Sequence, residues 1–378
     1  MSAALYVGLN PALQRRVDLE KLAVGSVNRA RGSSSGIGGK GQGAYVAALQ
    51  LAAAEGAGEG DDAARWGLPQ LCMFLGSGRE GDALGGFLRG RATPAGEDSD
   101  RVPPLWIRVA APCRTCTTLV ESATGDATEI VEPSGAVTSS EWEGLLASLQ
   151  ASDASFAAMA IMGTVPPGVP ADAYAQIVRA VCNSRTKVLV DSVVDVVGTL
   201  RAAAQCCRSA GEDAGCGGVM LKLNAREIFK LVGKELIGSD SQVAADVGEV
   251  ASACGQLAAS VADGDGPGVD YICWTDGPFP GGVHAIASRR TWRLERRRAL
   301  RGPVVSPIGA GDATSAGTLH AWCRGGGLAD AADPDQRAVE AFRFGLAVGA
   351  ASCLTGENSV FDIADVRAIH SDIVATEV

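Results

Sequence analysis

The sequence predicts an α/β fold with a largely parallel central sheet and helices on both faces. Two observations carry this expectation. Short apolar runs alternate with Ala- and Leu-rich helical stretches along most of the chain, the rhythm of strands joined by crossover helices. The runs are apolar at successive positions and end in Gly, Ser, Asn or Asp, as strands buried on both faces do where they open into loops. The chain of 378 residues, 47% hydrophobic and 20% charged, is long enough to bury a sizeable core.

In chain order the buried strands are ALYVGL (4–9), LCMFLG (71–76), AAMAIMG (157–163), KVLVDS (187–192), GVMLKL (218–223) and YICWTD (271–276). Between them lie the helical stretches AYVAALQLAAAEG (44–56), SEWEGLLASLQ (140–150), PADAYAQIVRAVC (170–182) and DVVGTLRAAAQCC (195–207). The C-terminal third turns helical, with DATSAGTLHAWCRGG (312–326) and RAVEAFRFGLAVGAASCL (337–354). Residues 12–34 and 104–132 break the rhythm. Alternating, polar-rich runs such as LWIRVAAPCRTCTTLVES (105–122) and DATEIVEP (126–133) suit a small antiparallel sheet beside the main layer, acting as a lid. Three Gly- and Asp-rich stretches, at 55–67, 91–100 and 208–218, read as loop insertions. No repeat and no interdomain linker appears, so residues 1–378 are expected to form one domain.

The totals exclude several classes. No apolar run approaches the ~20 residues of a membrane span. No basic leader precedes the first strand, so the expected location is the cytoplasm or an organelle stroma. A formal net charge of −10 argues against nucleic acid and against an anionic membrane surface. The 11 cysteines, an odd number in a long chain, suit reduced thiols. Cys113 and Cys116 form a lone CxxC and are read as coincidence. Cys206, Cys207 and Cys216 are read as part of a surface insertion.

The chemistry gathers at strand ends, where open α/β sheets bind ligands. Asn10 follows the first strand, Asn224 and Glu227 follow VMLKL, and Thr275, Asp276 and Gly277 follow YICW. The stretch PIGAGDATSAG (307–317) reads as a glycine turn feeding a helix. The first N–H groups of a helix lack internal partners and carry partial positive charge, so such a turn suits an anion. Asp312 there also fits an ordinary helix N-cap. A second glycine-rich stretch, GIGGKGQGAYVAALQLA (36–52), likewise feeds a helix, and KLNAREI (222–228) gathers Lys222, Asn224 and Glu227.

Together these pieces resemble the PfkB family of carbohydrate kinases, nearest the branch of 1-phosphofructokinase and tagatose-6-phosphate kinase. The match runs from end to end in family order: LNPAL (9–13), GSVNRA (25–30), GGKG (38–41), Arg114 with Thr115, EPSG (132–135), GTVPPGVP (163–170), KLNAREI, TDG (275–277) and GAGD (309–312). The resemblance implies a ribokinase-like three-layer αβα sandwich with a small β-sheet lid, transferring phosphate from ATP to a hydroxyl of a sugar or sugar phosphate. Asp312 would be the catalytic base, and the N–H groups of Gly309, Ala310 and Gly311 the anion hole. Lys222, Asn224, Thr275 and Gly277 would contact the nucleotide. Asn224 and Glu227 would help hold Mg²⁺, and Gln14, Gly38, Gly39, Lys40, Gly43 and Arg114 would form the acceptor side.

The acceptor side departs from the family pattern. Gln14 stands where the family has Asp, Gly43 where it has Asn, and Met162-Gly163-Thr164 where it has Ser-Gly-Ser. Arg114, which matches an Arg that contacts the acceptor's phosphate, favours a phosphorylated acceptor. Two other readings stay open, a nucleoside kinase and a non-catalytic subunit or scaffold of a larger assembly. Lid strands in this family often pair between subunits, so a homodimer through the lid is a further expectation. The run RRTWRLERRRALR (289–301) reads either as an alternating strand with a solvated face or as a patch for an acidic protein partner.

Overall fold

The computed structural model describes residues 3–56, 68–92, 105–152, 156–208, 217–234, 244–264, 266–324 and 333–378. Of the insertions expected at 55–67, 91–100 and 208–218, the parts at 57–67, 93–100 and 209–216, with Cys216, lie outside the described residues.

The apolar runs form the strands expected of them, because each buries both faces. Along the first, β1 (Ala3–Val7), Leu5 and Val7 enter one hydrophobic cluster while Tyr6 enters the other. Two hairpin-like strands follow, β2 (Ala12–Leu19) and β3 (Gly32–Gly38), then β4 (Gln70–Ser77), β5 (Trp106–Pro112), β6 (Thr115–Glu121) and β7 (Ala127–Val131). The remaining strands are β8 (Phe156–Met162), β9 (Lys187–Asp191), β10 (Gly218–Asn224), β11 (Tyr271–Asp276), β12 (Phe279–Ala285), β13 (Thr291–Arg296) and β14 (Ile373–Glu377).

Ten of these form the main sheet, in the order β14-β13-β12-β11-β10-β9-β8-β1-β4-β5. Pairing is parallel from β11 to β5 and antiparallel from β11 out to β14. The register sets Leu5 opposite Met159 and Leu223 opposite Trp274. One face is covered by α3 (Ser139–Gln150), α4 (Ala173–Val181), α5 (Val196–Arg208), α6 (Ala225–Leu231) and α7 (Val247–Val261). The other is covered by α1 (Lys40–Gly56), α2 (Gly78–Ala92), α8 (Ala310–Cys323), α9 (Pro334–Ser352) and α10 (Ile363–Asp372). The result is the expected three-layer αβα sandwich with a mainly parallel sheet.

The lid is a separate four-stranded sheet, β3-β2-β6-β7. Its boundaries differ from expectation. The strand Trp106–Pro112, assigned by sequence to the lid, instead pairs parallel with β4 and closes the main sheet. An edge strand has a neighbour on one side only, and its mixed burial reads in sequence like lid alternation. The lid also runs on through Gly38, past residue 34. Three elements departed from the C-terminal reading. β12, β13 and β14 pair antiparallel there, and the Arg-rich run contributes only Thr291–Arg296 to them. Cys206 and Cys207 are likewise not in an insertion. They occupy the last turn of α5, which continues to Arg208.

Candidate active site

Parallel strands end on the same side, so the loops after β1, β8, β9, β10 and β11 converge there, as open α/β sheets require. The lid covers this convergence. Between the two layers lies a cleft of 680 Å³ bordered by Asn10, Gln14, Gly39, Lys40, Arg114, Lys222, Asn224, Glu227, Thr275, Gly309, Gly311 and Asp312. Residues as far apart in sequence as Asn10 and Asp312, 302 positions, are thus neighbours in one cavity of ordinary ligand size. Gly38, Gly43, Ala310 and Gly277 do not border it. Ala310 and Gly277 line an adjoining cavity of 810 Å³, which shares Thr275, Pro307 and Gly311 with the cleft.

The GAGD turn separates the two spaces. Gly309 caps α8 in the left-handed region, with φ of 80°. A side chain there would also collide with Ser359, whose Oγ lies 2.8 Å from where a Cβ would stand, so glycine is needed twice over. Because Gly309 is the cap, Asp312 falls at the third helical position, with its carboxylate free of the N-cap bond that its residue type suggested. The Ala310 N–H donates weakly to the Pro307 carbonyl at 3.3 Å. The Gly309 and Gly311 N–H groups find no partner among the described residues.

Behind the turn runs a chain of charges joined by Asp191, the one member that sequence reasoning missed. Asp191, the last residue of β9, is 1% exposed. Its Oδ1 accepts from Lys40 Nζ at 2.8 Å, and its Oδ2 from Lys222 Nζ at 2.9 Å and from Ser315 Oγ at 2.7 Å. Lys222 Nζ also donates to the Gly311 carbonyl at 3.0 Å, which fastens β10 to the first turn of α8. Burial alone would raise the Asp191 carboxyl, but Lys222 and Lys40 overcome it and hold the group ionised, well below the usual carboxylate range. Asp312 behaves oppositely. Burial, then the like charge of Asp191, pushes it up to about 8 against the pull of Lys40 and Lys222. Burial depresses Lys40, yet the carboxylates of Asp191 and Glu227 raise it on balance, so it stays charged.

Asn224 and Glu227 form a reciprocal capping box on α6. Glu227 N–H donates to Asn224 Oδ1 at 2.8 Å, and Asn224 N–H to Glu227 Oε2 at 2.9 Å. The other Glu227 oxygen faces Lys40 Nζ at 3.6 Å. Thus one carboxylate oxygen is turned toward the cleft while its twin holds the helix end.

On the lid side, buried Gln14 donates to Thr118 Oγ1 at 2.8 Å. Arg114 donates through Nη2 to the Asn10 carbonyl at 3.0 Å, and through Nε to the Pro11 carbonyl at 3.4 Å. No carboxylate pairs with Arg114 among the described residues, so a positive charge borders the cleft unneutralised. Asn10 is fixed in turn by Thr164 and Ser134, at 2.9 and 2.8 Å. Gly43, on α1, lies directly behind Asp312. A Cβ there would stand 2.8 Å from Asp312 Oδ2 and 2.8 Å from Ser359 Oγ, which explains the missing side chain at this position. Gly38 ends β3 against the Ala12 carbonyl, 3.0 Å from where its Cβ would be.

Part of the Arg-rich stretch borders the second cavity. Arg296, Arg297 and Arg298 line the second cavity, and Arg296 Nη1 is buried there without a hydrogen-bond partner. Arg290 is held by Asp333 and Glu377 at 2.9 and 2.7 Å, and Arg293 by Glu295 at 2.5 Å. Arg290 and Arg293 are therefore answered within the chain, while Arg289, Arg297, Arg298 and Arg301 are exposed. Cys113 and Cys116 of the lone CxxC are both buried, and burial pushes Cys113 up to about 11, an inert thiol.

No family model matches this chain. A curated relative, the ATP-dependent 6-phosphofructokinase isozyme 2 of Mycobacterium tuberculosis, is 28% identical over 269 residues, covering 70% of this chain and 66% of that protein. Among solved structures, phosphofructokinase-2 from Escherichia coli in complex with substrates and products superimposes with a TM-score of 0.69 at 19% identity, over 98% of this chain and 99% of that one. Ribokinase from Giardia lamblia gives 0.69 at 12% identity, over 97% and 99%. The main sheet, its helical layers and its small lid sheet are accordingly those of the ribokinase-like fold, the fold of the PfkB carbohydrate kinases.

Proposed function

We propose that this chain transfers the terminal phosphoryl group of ATP to a hydroxyl of a sugar phosphate. The observation that carries the proposal is the position of Asp312. Its carboxylate sits at the start of α8, where two cavities meet. One cavity is lined by Gly277, Ala310 and three arginines and suits a nucleotide. The other, under the lid, suits the acceptor.

Each residue then has a role its surroundings support. Asp312, raised to about 8, is a base matched to near-neutral pH and accepts the proton of the attacking hydroxyl. The N–H groups of Gly309 and Gly311 are aimed, without competing partners, at an anion before the helix. Lys222 adds a fixed positive charge beside them, and Asp191 holds that ammonium in place. Arg114, with no carboxylate partner, offers a cation to a phosphate already on the acceptor. Glu227, whose Oε1 is left outside the capping box, would help hold Mg²⁺, an ion that suits a site offering a single carboxylate. When bound, the ion neutralises charge on the phosphates.

Steady-state turnover of ATP against fructose 6-phosphate, fructose 1-phosphate, tagatose 6-phosphate, ribose and adenosine tests the proposal. Turnover confined to a phosphorylated sugar supports it. Turnover with adenosine or ribose alone replaces the acceptor assignment. ATP binding with no turnover on any acceptor favours a non-catalytic subunit.

A further inference from the structure

On the far side of the molecule three cysteines that the kinase reading leaves unused come together. Strands β8, β9 and β10 are parallel neighbours, so α4 and α5, the crossovers between them, run in the same direction. Both end at the sheet edge opposite the cleft. Cys182 is the C-cap of α4, and Cys206 and Cys207 occupy the last turn of α5. The Cys182 thiol is within hydrogen-bond reach of both Cys206 and Cys207. All three are partly exposed. The Cys182 and Cys207 thiols also donate to the Asn183 and Thr186 carbonyls, at 3.6 and 3.5 Å. Adjacent residues on a helix point about 100° apart and cannot bond to each other without unwinding it.

We propose that Cys182 and Cys206 form a dithiol pair that exchanges with low-molecular-weight disulfides, a redox modification site remote from the cleft and independent of the kinase reading. The Cys206 thiolate attacks one sulfur of a disulfide RSSR. A mixed disulfide forms and RS⁻ leaves, taking up a proton. Cys182 then loses its proton and attacks the Cys206 sulfur. The Cys182–Cys206 bond forms, the second RS⁻ leaves and takes up that proton, and two protein thiols have been oxidised as one RSSR is reduced to two RSH.

The electrostatics assign the order. The hydrogen bond from the Cys182 thiol draws Cys206 down to about 7 against the opposing effect of burial, and the Arg179 guanidinium adds to it. The same contacts push Cys182 up. Attack falls to the more acidic thiol, and the other resolves. By contrast, burial pushes Cys72 and Cys254 up to about 12, which leaves them unreactive.

The test treats the full chain with oxidised glutathione, then alkylates free thiols and maps the peptides by mass. The expected product joins Cys182 to Cys206 and is cleaved by dithiothreitol. Cys182→Ser, which keeps a donor beside Cys206, is expected to retain glutathione on Cys206. Cys207→Ser is expected to leave the link intact. Cys206→Ser is expected to slow reaction with an aromatic disulfide about tenfold. The proposal is overturned if the first adduct maps to another cysteine, if Cys206 links elsewhere, or if Cys182→Ser carries no adduct at Cys206.

Discussion

Replacing Gly43 by alanine separates packing from catalysis at this site. The added Cβ would meet Asp312 Oδ2 and Ser359 Oγ, each at 2.8 Å. Both are side-chain ends, so they yield before the backbone of α1 or α8 does. Overpacking costs about 1–3 kcal/mol, while alanine in place of glycine inside a helix returns about 1 kcal/mol. The net loss is then at most about 2 kcal/mol, a fall in Tm of no more than about 5 °C. Catalysis is more sensitive. Ordinary contact requires the carboxylate to retreat by about 0.5 Å, and a misplacement of about 1 Å costs on the order of 100-fold. The expected fall in kcat is therefore about tenfold, with the KM for ATP unchanged because Gly43 lines neither cavity. Steady-state kinetics beside a thermal melt reads both quantities. A variant whose kcat stays within about twofold while its Tm drops by more than about 10 °C refutes the reasoning.

Four further outcomes follow from the charges around the turn. Asp191→Asn leaves Lys222 buried without its counter-charge, which should cost about 3–5 kcal/mol in chemical denaturation; a change below about 1 kcal/mol contradicts the bridge. With Asp312 raised to about 8, kcat should climb about tenfold per pH unit below that value and level off above it. The same group favours the folded state at low pH, because its folded pKa exceeds its unfolded one, and this contribution is lost as pH rises from about 4 through about 8. Asp312→Asn should remove that slope from the stability profile, and an unchanged slope counts against the assignment. Glu227→Gln keeps an oxygen for the Asn224 N–H, so Tm should hold within about 2 °C while the Mg²⁺ concentration for half-maximal activity rises at least about tenfold; an unchanged Mg²⁺ requirement removes Glu227 from the metal.

Much of this architecture was legible in local pattern. A strand buried on both faces is apolar at every position, so the central strands announced themselves, as did the two glycine turns that feed helices. What was not legible depends on partners distant in sequence. Asp191 stands in KVLVDS in plain view, but its significance rests on Lys40, 151 positions away, and Lys222, 31 away. Gly43 looked like a lost acceptor contact until Asp312 and Ser359 were found filling the space. The pattern NxxE carries two meanings at once, since the carboxylate that caps α6 with one oxygen presents the other to the cleft. The strand Trp106–Pro112 was misplaced because an edge strand and a lid strand share the same alternating burial. Of the two readings of the Arg-rich run, the alternating strand holds over Thr291–Arg296, where Trp292 and Leu294 are buried and Arg293 and Glu295 are only partly so.

The most direct test of the central claim compares phosphoryl transfer from ATP to the preferred sugar phosphate by the native chain and by Asp312→Asn, with ATP affinity measured on both. The account predicts a loss in kcat of about 10²–10⁴-fold with ATP affinity retained. A variant that turns over at the native rate would contradict it, and would show that the carboxylate at the start of α8 is not the base.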